Sequence, residues 1–307
     1  VAEHNADNTF ERVAQRVDPQ SRLVRAWTLP GGVSAEVTAL EIERQDGSSR
    51  KLLLRRHGDA DLAHNPDIAA DEFKLLQILH SERLATPAPL YFDESGALFP
   101  TPYIVIEYIE GETVSAPANP SDFLDQLAAQ LASIHAINLS RYDLSFLPKL
   151  EETYARRLRE RPARLDKSLS EGRIRDALEA VWPPEQHNPS VLLHGDYWLG
   201  NTLWRDGQLV AVIDWEDAAI GDPLADLANG RLELLWAFGE EAMQRFTDYY
   251  VSLTEIDCMN LPYWDLCAAL RPASKLGAWG LDEATEQRMR HLHKVFVTQA
   301  LERLPVR

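Results

Sequence analysis

Apolar and polar residues alternate through residues 33–42 and again through Lys51-Leu52-Leu53-Leu54-Arg55, and the turn Gln45-Asp46-Gly47-Ser48 between them predicts a β-hairpin. Across residues 71–84, Phe73, Leu76, Ile78 and Leu79 fall near helical spacing, and Thr86-Pro87-Ala88-Pro89 stops that helix. Residues 103–109 are a further apolar strand, closed by Glu110-Gly111. Helical patterns dominate beyond it. Residues 123–137 open after Pro120-Ser121-Asp122, an N-cap arrangement, and carry Leu124, Leu127, Leu131 and Ile134 on one side. Residues 151–181 predict two charged helices broken near Pro162, and residues 232–253, 263–269 and 283–304 predict more helix. Among these helices, residues 191–194 and 208–215 read as short buried strands forming one hairpin. The expected class is α+β, with a β-rich N-terminal lobe over residues 1–108 and a mainly helical C-terminal lobe over residues 109–307.

Composition narrows the function. Apolar residues make up 45% and charged residues 26%, ordinary values for a globular chain with a substantial core. The 31 Lys and Arg against 48 Asp and Glu leave a net charge of −17, which repels phosphate backbones and anionic lipid heads, so neither a nucleic acid nor a membrane is an expected partner. No uncharged apolar run reaches the roughly 18 residues of a membrane span. Val1-Ala2-Glu3-His4-Asn5 lacks the basic and apolar regions of a signal peptide, which gives a cytoplasmic expectation. Cys258 and Cys267 are too few for a disulfide framework and read as free thiols.

The chemistry concentrates in Leu192-Leu193-His194-Gly195-Asp196-Tyr197-Trp198-Leu199-Gly200-Asn201 and in Val212-Ile213-Asp214-Trp215. Apolar strands deliver Asp196, Asn201 and Asp214 at their ends. Phosphoryl transfer needs such a set, because hard oxygen ligands hold magnesium against nucleotide phosphates while a carboxylate takes the attacking hydroxyl's proton. The interval from Asp196 to Asn201 equals that between base and metal-binding Asn in a kinase catalytic loop, and a strand-terminal Asp follows at 214. Upstream, Gly31, Gly32 and Ser34 offer backbone N–H groups as a modest anion nest, without forming a G-x-G-x-x-G loop.

At His194-Gly195-Asp196, Asn201, Ile213-Asp214-Trp215 and Gly221-Asp222-Pro223 with Asp226, the chain resembles the aminoglycoside phosphotransferase family, small-molecule kinases of protein-kinase-like fold. The resemblance implies a two-lobed fold with ATP between the lobes, Asp196 as catalytic base, and Asn201 and Asp214 as magnesium ligands. It makes His194, Asp222 and Asp226 scaffold of the catalytic loop. It also implies a phosphate-contacting cation at Arg55, paired with Glu72, with Arg56 as the competing assignment. Main-chain groups of Glu107 and Ile109 would meet the adenine edge.

The acceptor is less constrained. Glu216 and Asp217 are surplus to magnesium binding and could hold a cationic acceptor such as an amino sugar or amino alcohol, whereas Arg271 and Lys275 would suit an anionic one. His135, on an apolar helix face, reads as a core histidine; His291 and His293 point apart. The basic residues between Arg156 and Lys167 read as a solvated face. The expected activity is therefore an ATP- and magnesium-dependent O-phosphotransferase acting on a small molecule. Its rivals are a nucleotide-binding pseudoenzyme of the same fold and a metal-dependent hydrolase built on His194, Asp196 and Asp214.

Overall fold

The alternating runs pair as a sheet. In the computed structural model, which describes residues 2–29 and 35–304, Arg22–Thr28 (β1), Ala35–Glu43 (β2), Ser49–His57 (β3), Pro89–Asp93 (β4) and Tyr103–Glu107 (β5) form an antiparallel sheet of order β1-β2-β3-β5-β4. The nest at Gly31, Gly32 and Ser34 lies outside the described residues. The β2–β3 register sets Ala39 opposite Leu53 and Val37 opposite Arg55. Helix Ala2–Val17 (α1) carries Phe10, Val13, Ala14 and Val17 at helical spacing, and Val13 and Ala14 share a core with Leu40, Ile42, Leu52, Leu54, Tyr103 and Val105. Sequence patterning missed α1 although that apolar stripe was legible. It missed β1 because the strand is largely solvent-facing, which removes strict alternation. Helices Asp59–His64 (α2) and Ile68–Ser81 (α3) follow; α3 starts and ends earlier than expected.

The chain divides into two compact units, one of Val1–Gly111 with Val210–Glu216, the other of Glu112–Leu209 with Asp217–Arg307. A single boundary near residue 109 omits the return of residues 210–216 to the first unit. That return is tied down by the Val212 N–H, which donates to the Ala85 carbonyl at 2.7 Å.

Downstream lie helices Pro120–His135 (α4), Leu150–Arg159 (α5) and Glu171–Glu179 (α6), strands Val191–Leu193 (β6), Thr202–Arg205 (β7), Gln208–Val212 (β8) and Ala219–Gly221 (β9), and helices Leu224–Phe238 (α7), Glu240–Leu253 (α8), Leu261–Leu270 (α9) and Glu283–Glu302 (α10). Three expectations need correction. The cap of α4 is Asn119, whose side chain accepts from the Asp122 N–H, with Pro120 inside the helix. The two short strands do not pair with each other, since β6 pairs with β9 and β7 with β8. The helix expected over residues 232–253 is two helices parted at Gly239, whose φ of +90° no helix accommodates. No described helix is long and apolar enough to cross a membrane.

Candidate active site

In the first unit the strand pleat decides which arginine turns inward. Arg55 is 8% exposed, while Arg56, on the opposite face of β3, pairs with Glu36 and lies over the Phe99 ring. Arg55 Nη1 stands 3.3 Å from Glu72 Oε1, and Nη2 donates to Asp214 Oδ1 at 2.6 Å and Glu216 Oε2 at 2.5 Å. Burial opposes the charge on Arg55, but Glu72, Asp214 and Glu216 together outweigh it and hold the guanidinium protonated. Burial likewise works to raise the Glu72 carboxyl, and Arg55 and His57 overcome it, leaving the group below its ordinary range.

His57 was not anticipated. Its ring Nε2 is 2.9 Å from Glu72 Oε2, so Glu72 is held by a different partner at each oxygen. The alternation that buries Arg55 also buries the residue two positions on, which was the available signal.

Asp214 follows the end of β8 with φ +66°, a left-handed conformation uncommon for a side-chain-bearing residue and typical of functional turns. That turn ends the strand earlier than residue 215 and aims the carboxylate at Arg55. Glu216 is displaced from its expected role: its carboxylate sits on Arg55 rather than free for an acceptor. Glu107 and Ile109 belong to neither charged cluster. The Glu107 N–H donates to the Ala88 carbonyl at 2.9 Å and is unavailable to a base edge, and Ile109 lies past the end of β5.

The second unit holds the loop after β6, and its main chain is almost fully accounted for. Asp226, on α7, accepts the N–H groups of His194 at 2.7 Å and Gly195 at 2.9 Å. His194 Nδ1 accepts the Asp196 N–H at 3.2 Å. Asn201 Nδ2 donates to the Asp196 carbonyl at 2.9 Å and to Asp196 Oδ2 at 3.2 Å, and Asn229 Nδ2 donates to the Tyr197 carbonyl at 3.2 Å. Gly195 has φ +81°, and a Cβ there would lie 1.9 Å from the Asp217 carbonyl oxygen, so only glycine fits.

Sequence reasoning missed two partners of this loop. His135 is the buried core histidine expected, yet it bridges Tyr250 Oη at 2.6 Å and Asp226 Oδ2 at 3.3 Å, supporting the residue that supports the loop. Arg271 Nη2 donates to Asp196 Oδ1 at 2.6 Å and stands 3.6 Å from Asp217 Oδ2. Asp222, expected to fix the loop, instead accepts from Asn188 Nδ2 and from the Leu224 N–H at the start of α7.

Burial raises the Asp226 carboxyl, but its bond and charge interaction with His135, with help from His194, bring it below its ordinary value. Glu233 lies two turns further along α7 and lines a small pocket with Tyr197, Trp198 and Leu199. Burial, then the charge of Asp196, push its pKa up to about 7, against the pull of Arg271.

Each unit offers a hard oxygen of the kind magnesium accepts: in the second unit Asn201 commits its amide nitrogen to Asp196 and keeps Oδ1 as an acceptor, and in the first Asp214 commits Oδ1 to Arg55 and keeps Oδ2. No three His, Cys, Asp or Glu side chains among the described residues converge to hold a metal by themselves, as the hydrolase alternative would require.

A family model described as "Phosphotransferase enzyme family" matches residues 29–270. Among curated proteins the chain is similar to "Acyl-CoA dehydrogenase family member 11" of Rattus norvegicus, 25% identical over 257 residues, covering 72% of this chain and 32% of the relative. It is also similar to "Acyl-CoA dehydrogenase family member 10" of Mus musculus, 24% identical, with 59% and 18% covered. The chain thus spans about a third or less of these relatives' length. Solved structures of similar fold include a macrolide 2'-phosphotransferase from Brachybacterium faecium, with a TM-score of 0.63, 18% identity, and 93% and 97% of the two chains covered. A thermostable aminoglycoside phosphotransferase variant in ternary complex with AMP-PNP and hygromycin B scores 0.63 at 16% identity, covering 94% and 98%. A structure described as the GDP and kanamycin complex of APH(2")-IIIa scores 0.62 at 18% identity, covering 95% and 96%.

Proposed function

The chain belongs to the phosphotransferase enzyme family, and on that premise we propose that it transfers the γ-phosphoryl group of ATP, with magnesium, to a hydroxyl of a small molecule. The observation that carries this reading is Asp196, whose carboxylate and carbonyl are both held by the side chain of Asn201, five residues on, in a loop anchored by Asp226. A base so fixed accepts the hydroxyl proton as the acceptor oxygen bonds to the γ-phosphorus and the bond to the β,γ-bridging oxygen breaks, releasing ADP.

Arg55, oriented by Glu72, which His57 holds in turn, is the cation that would meet phosphate oxygens, its Nη2 exchanging Asp214 and Glu216 for them. Asn201 and Asp214 are the residues that would hold magnesium, which when bound neutralises charge on the nucleotide phosphates. The AMP-PNP bound to one structural relative supports ATP as donor, and the hygromycin B and kanamycin bound to two of them support a hydroxylated small molecule as acceptor. A cationic acceptor is favoured, because the Asp217 side chain is 60% exposed beside the loop.

The test is nucleotide turnover by the purified chain with magnesium or with EDTA, across aminoglycosides, macrolides, sugars, choline and amino alcohols, with Asp196→Asn in parallel. The expected result is magnesium-dependent ADP release stimulated by at least one acceptor and lost in the variant. ATP binding with neither turnover nor an effect of Asp196→Asn would identify a nucleotide-binding module instead.

A further inference from the structure

Arg271 lies 75 residues beyond Asp196, at the C-terminal cap of α9, and nothing in its local sequence marks it for the catalytic loop. Its guanidinium makes two bonds at once, from Nη2 to Asp196 Oδ1 at 2.6 Å and from Nη1 to the Gly195 carbonyl at 2.5 Å. The other loop carbonyls have separate donors, Asn201 for Asp196 and Asn229 for Tyr197. Arg271 is therefore the side chain that ties the peptide before Asp196 to the carboxylate itself.

That peptide needs tying. Gly195 has φ +81° and no Cβ, so no side chain of its own restricts its backbone, and the peptide depends on partners for its orientation. A planar guanidinium fixes the angle between two acceptors in a way that a lysine ammonium does not. Its base is firm: Leu266 and Leu270 of α9 are fully buried, and Arg157 Nη2 donates to the Leu270 carbonyl at 2.8 Å. The charged and titratable groups around the guanidinium are Asp196, Asp217, Asp226 and Tyr154, with Glu233 acting from α7.

We propose that Arg271 is a positioning residue for the transfer step, holding the Asp196 carboxylate in the orientation from which it takes the acceptor's proton. The proposal rests on Asp196 being the base. Arg271 acts through that carboxylate and through the Gly195 peptide, so its removal disorders the base while leaving the phosphate-binding cluster around Arg55 untouched.

The experiment compares wild type, Arg271→Met, Arg271→Lys and Asp196→Asn in magnesium-dependent ATP turnover, with water alone and with each compound of the acceptor panel. Crystal structures of wild type and Arg271→Met are determined alongside. In Arg271→Met, kcat should fall about 10²-fold, the loss expected of a misplaced catalytic group, with KM for ATP changed less than about twofold. Methylguanidine should restore part of that turnover, and Arg271→Lys should recover less than methylguanidine because one ammonium cannot reproduce the paired bonds. The Asp196 carboxylate and the Gly195 peptide should change orientation in the Arg271→Met crystal.

Unchanged kcat in a folded Arg271→Met, or a loss that methylguanidine does not relieve, overturns the proposal. So does an unchanged Asp196 orientation in the crystal, whatever the activity. If Asp196→Asn turns over like wild type, the base assignment fails instead, and Arg271 loses its catalytic meaning even where the crystal shows that it orients Asp196.

Discussion

Asp226 and Gly195 sit on different elements, yet Asp226 Oδ1 accepts the Gly195 N–H at 2.9 Å while Oδ2 takes that of His194 at 2.7 Å. One carboxylate thus closes two buried backbone donors at the start of the loop. Asp226→Ala leaves both unsatisfied together with His135, and at about 1–3 kcal/mol for each of the three buried groups it should destabilise by about 3 kcal/mol or more. Thermal unfolding should show a midpoint lower by about 10 °C. Asp226→Asn, which keeps one acceptor oxygen, should lose clearly less. The Asp226 carboxyl is held below its ordinary 3.8, so its contribution is fully present above that pH and disappears as pH falls through the lower folded value. An Asp226→Ala midpoint equal to wild type at neutral pH would contradict this account.

Gly195→Ala is expected to be severe. The added methyl meets the Asp217 carbonyl at 1.9 Å, and the alanine must also hold φ +81°. A backbone neighbour cannot swing aside as a side-chain tip can, so the loop has to move. The expected outcome is loss of soluble protein or loss of turnover, whereas Gly207→Ala, which carries similar backbone strain at φ +75° but has open space around its Cβ, should remain soluble and active. Comparable expression and activity of the two variants would count against the close packing of the loop.

Glu233 gives a pH signature of opposite sign. Burial, then the Asp196 charge, raise its folded pKa from 4.5 to about 7, so between those values the folded state binds the proton better than the unfolded chain. Stability from this group is present at low pH and lost as pH rises through that window. Glu233→Gln should therefore unfold at the wild-type temperature near pH 5 and at a higher temperature near pH 8. Parallel midpoints at both pH values would show that Glu233 ionises freely in the fold.

The cluster around Arg55 should separate two adjacent arginines. Arg55→Ala leaves the buried Glu72 facing only His57, and removing one partner of a buried ion pair costs about 3–5 kcal/mol. Arg56→Ala removes a partly exposed pair with Glu36 and should cost less than about 1 kcal/mol. In kinetics, Arg55→Lys should raise KM for ATP while Arg56→Lys changes it little. Equal effects of the two lysine variants would place phosphate recognition elsewhere.

Local pattern was enough for much of the first unit and for the identity of the loop residues. Strand alternation is a property of consecutive residues, so the hairpin containing Arg55 could be read directly, and the interval from Asp196 to Asn201 is short enough for a single loop to impose their contact. The same local logic misled where an element's neighbour was remote. Strand β6 takes β9 rather than the other early strand, and Glu216 turns to Arg55 rather than staying free, because pairing and charge compensation are settled by whichever partner the packed chain presents. His57 on Glu72, His135 on Asp226 and Arg271 on Asp196 span 15, 91 and 75 residues, and such contacts leave no periodic trace in sequence. Spacing within one loop or strand follows from covalent geometry, so residue order alone was enough to say which side chains share the loop after β6 and which share the inward face of β3. Only the tertiary structure decided how they are held: a buried carboxylate or guanidinium needs a partner, and packing alone determines which distant residue arrives to provide it.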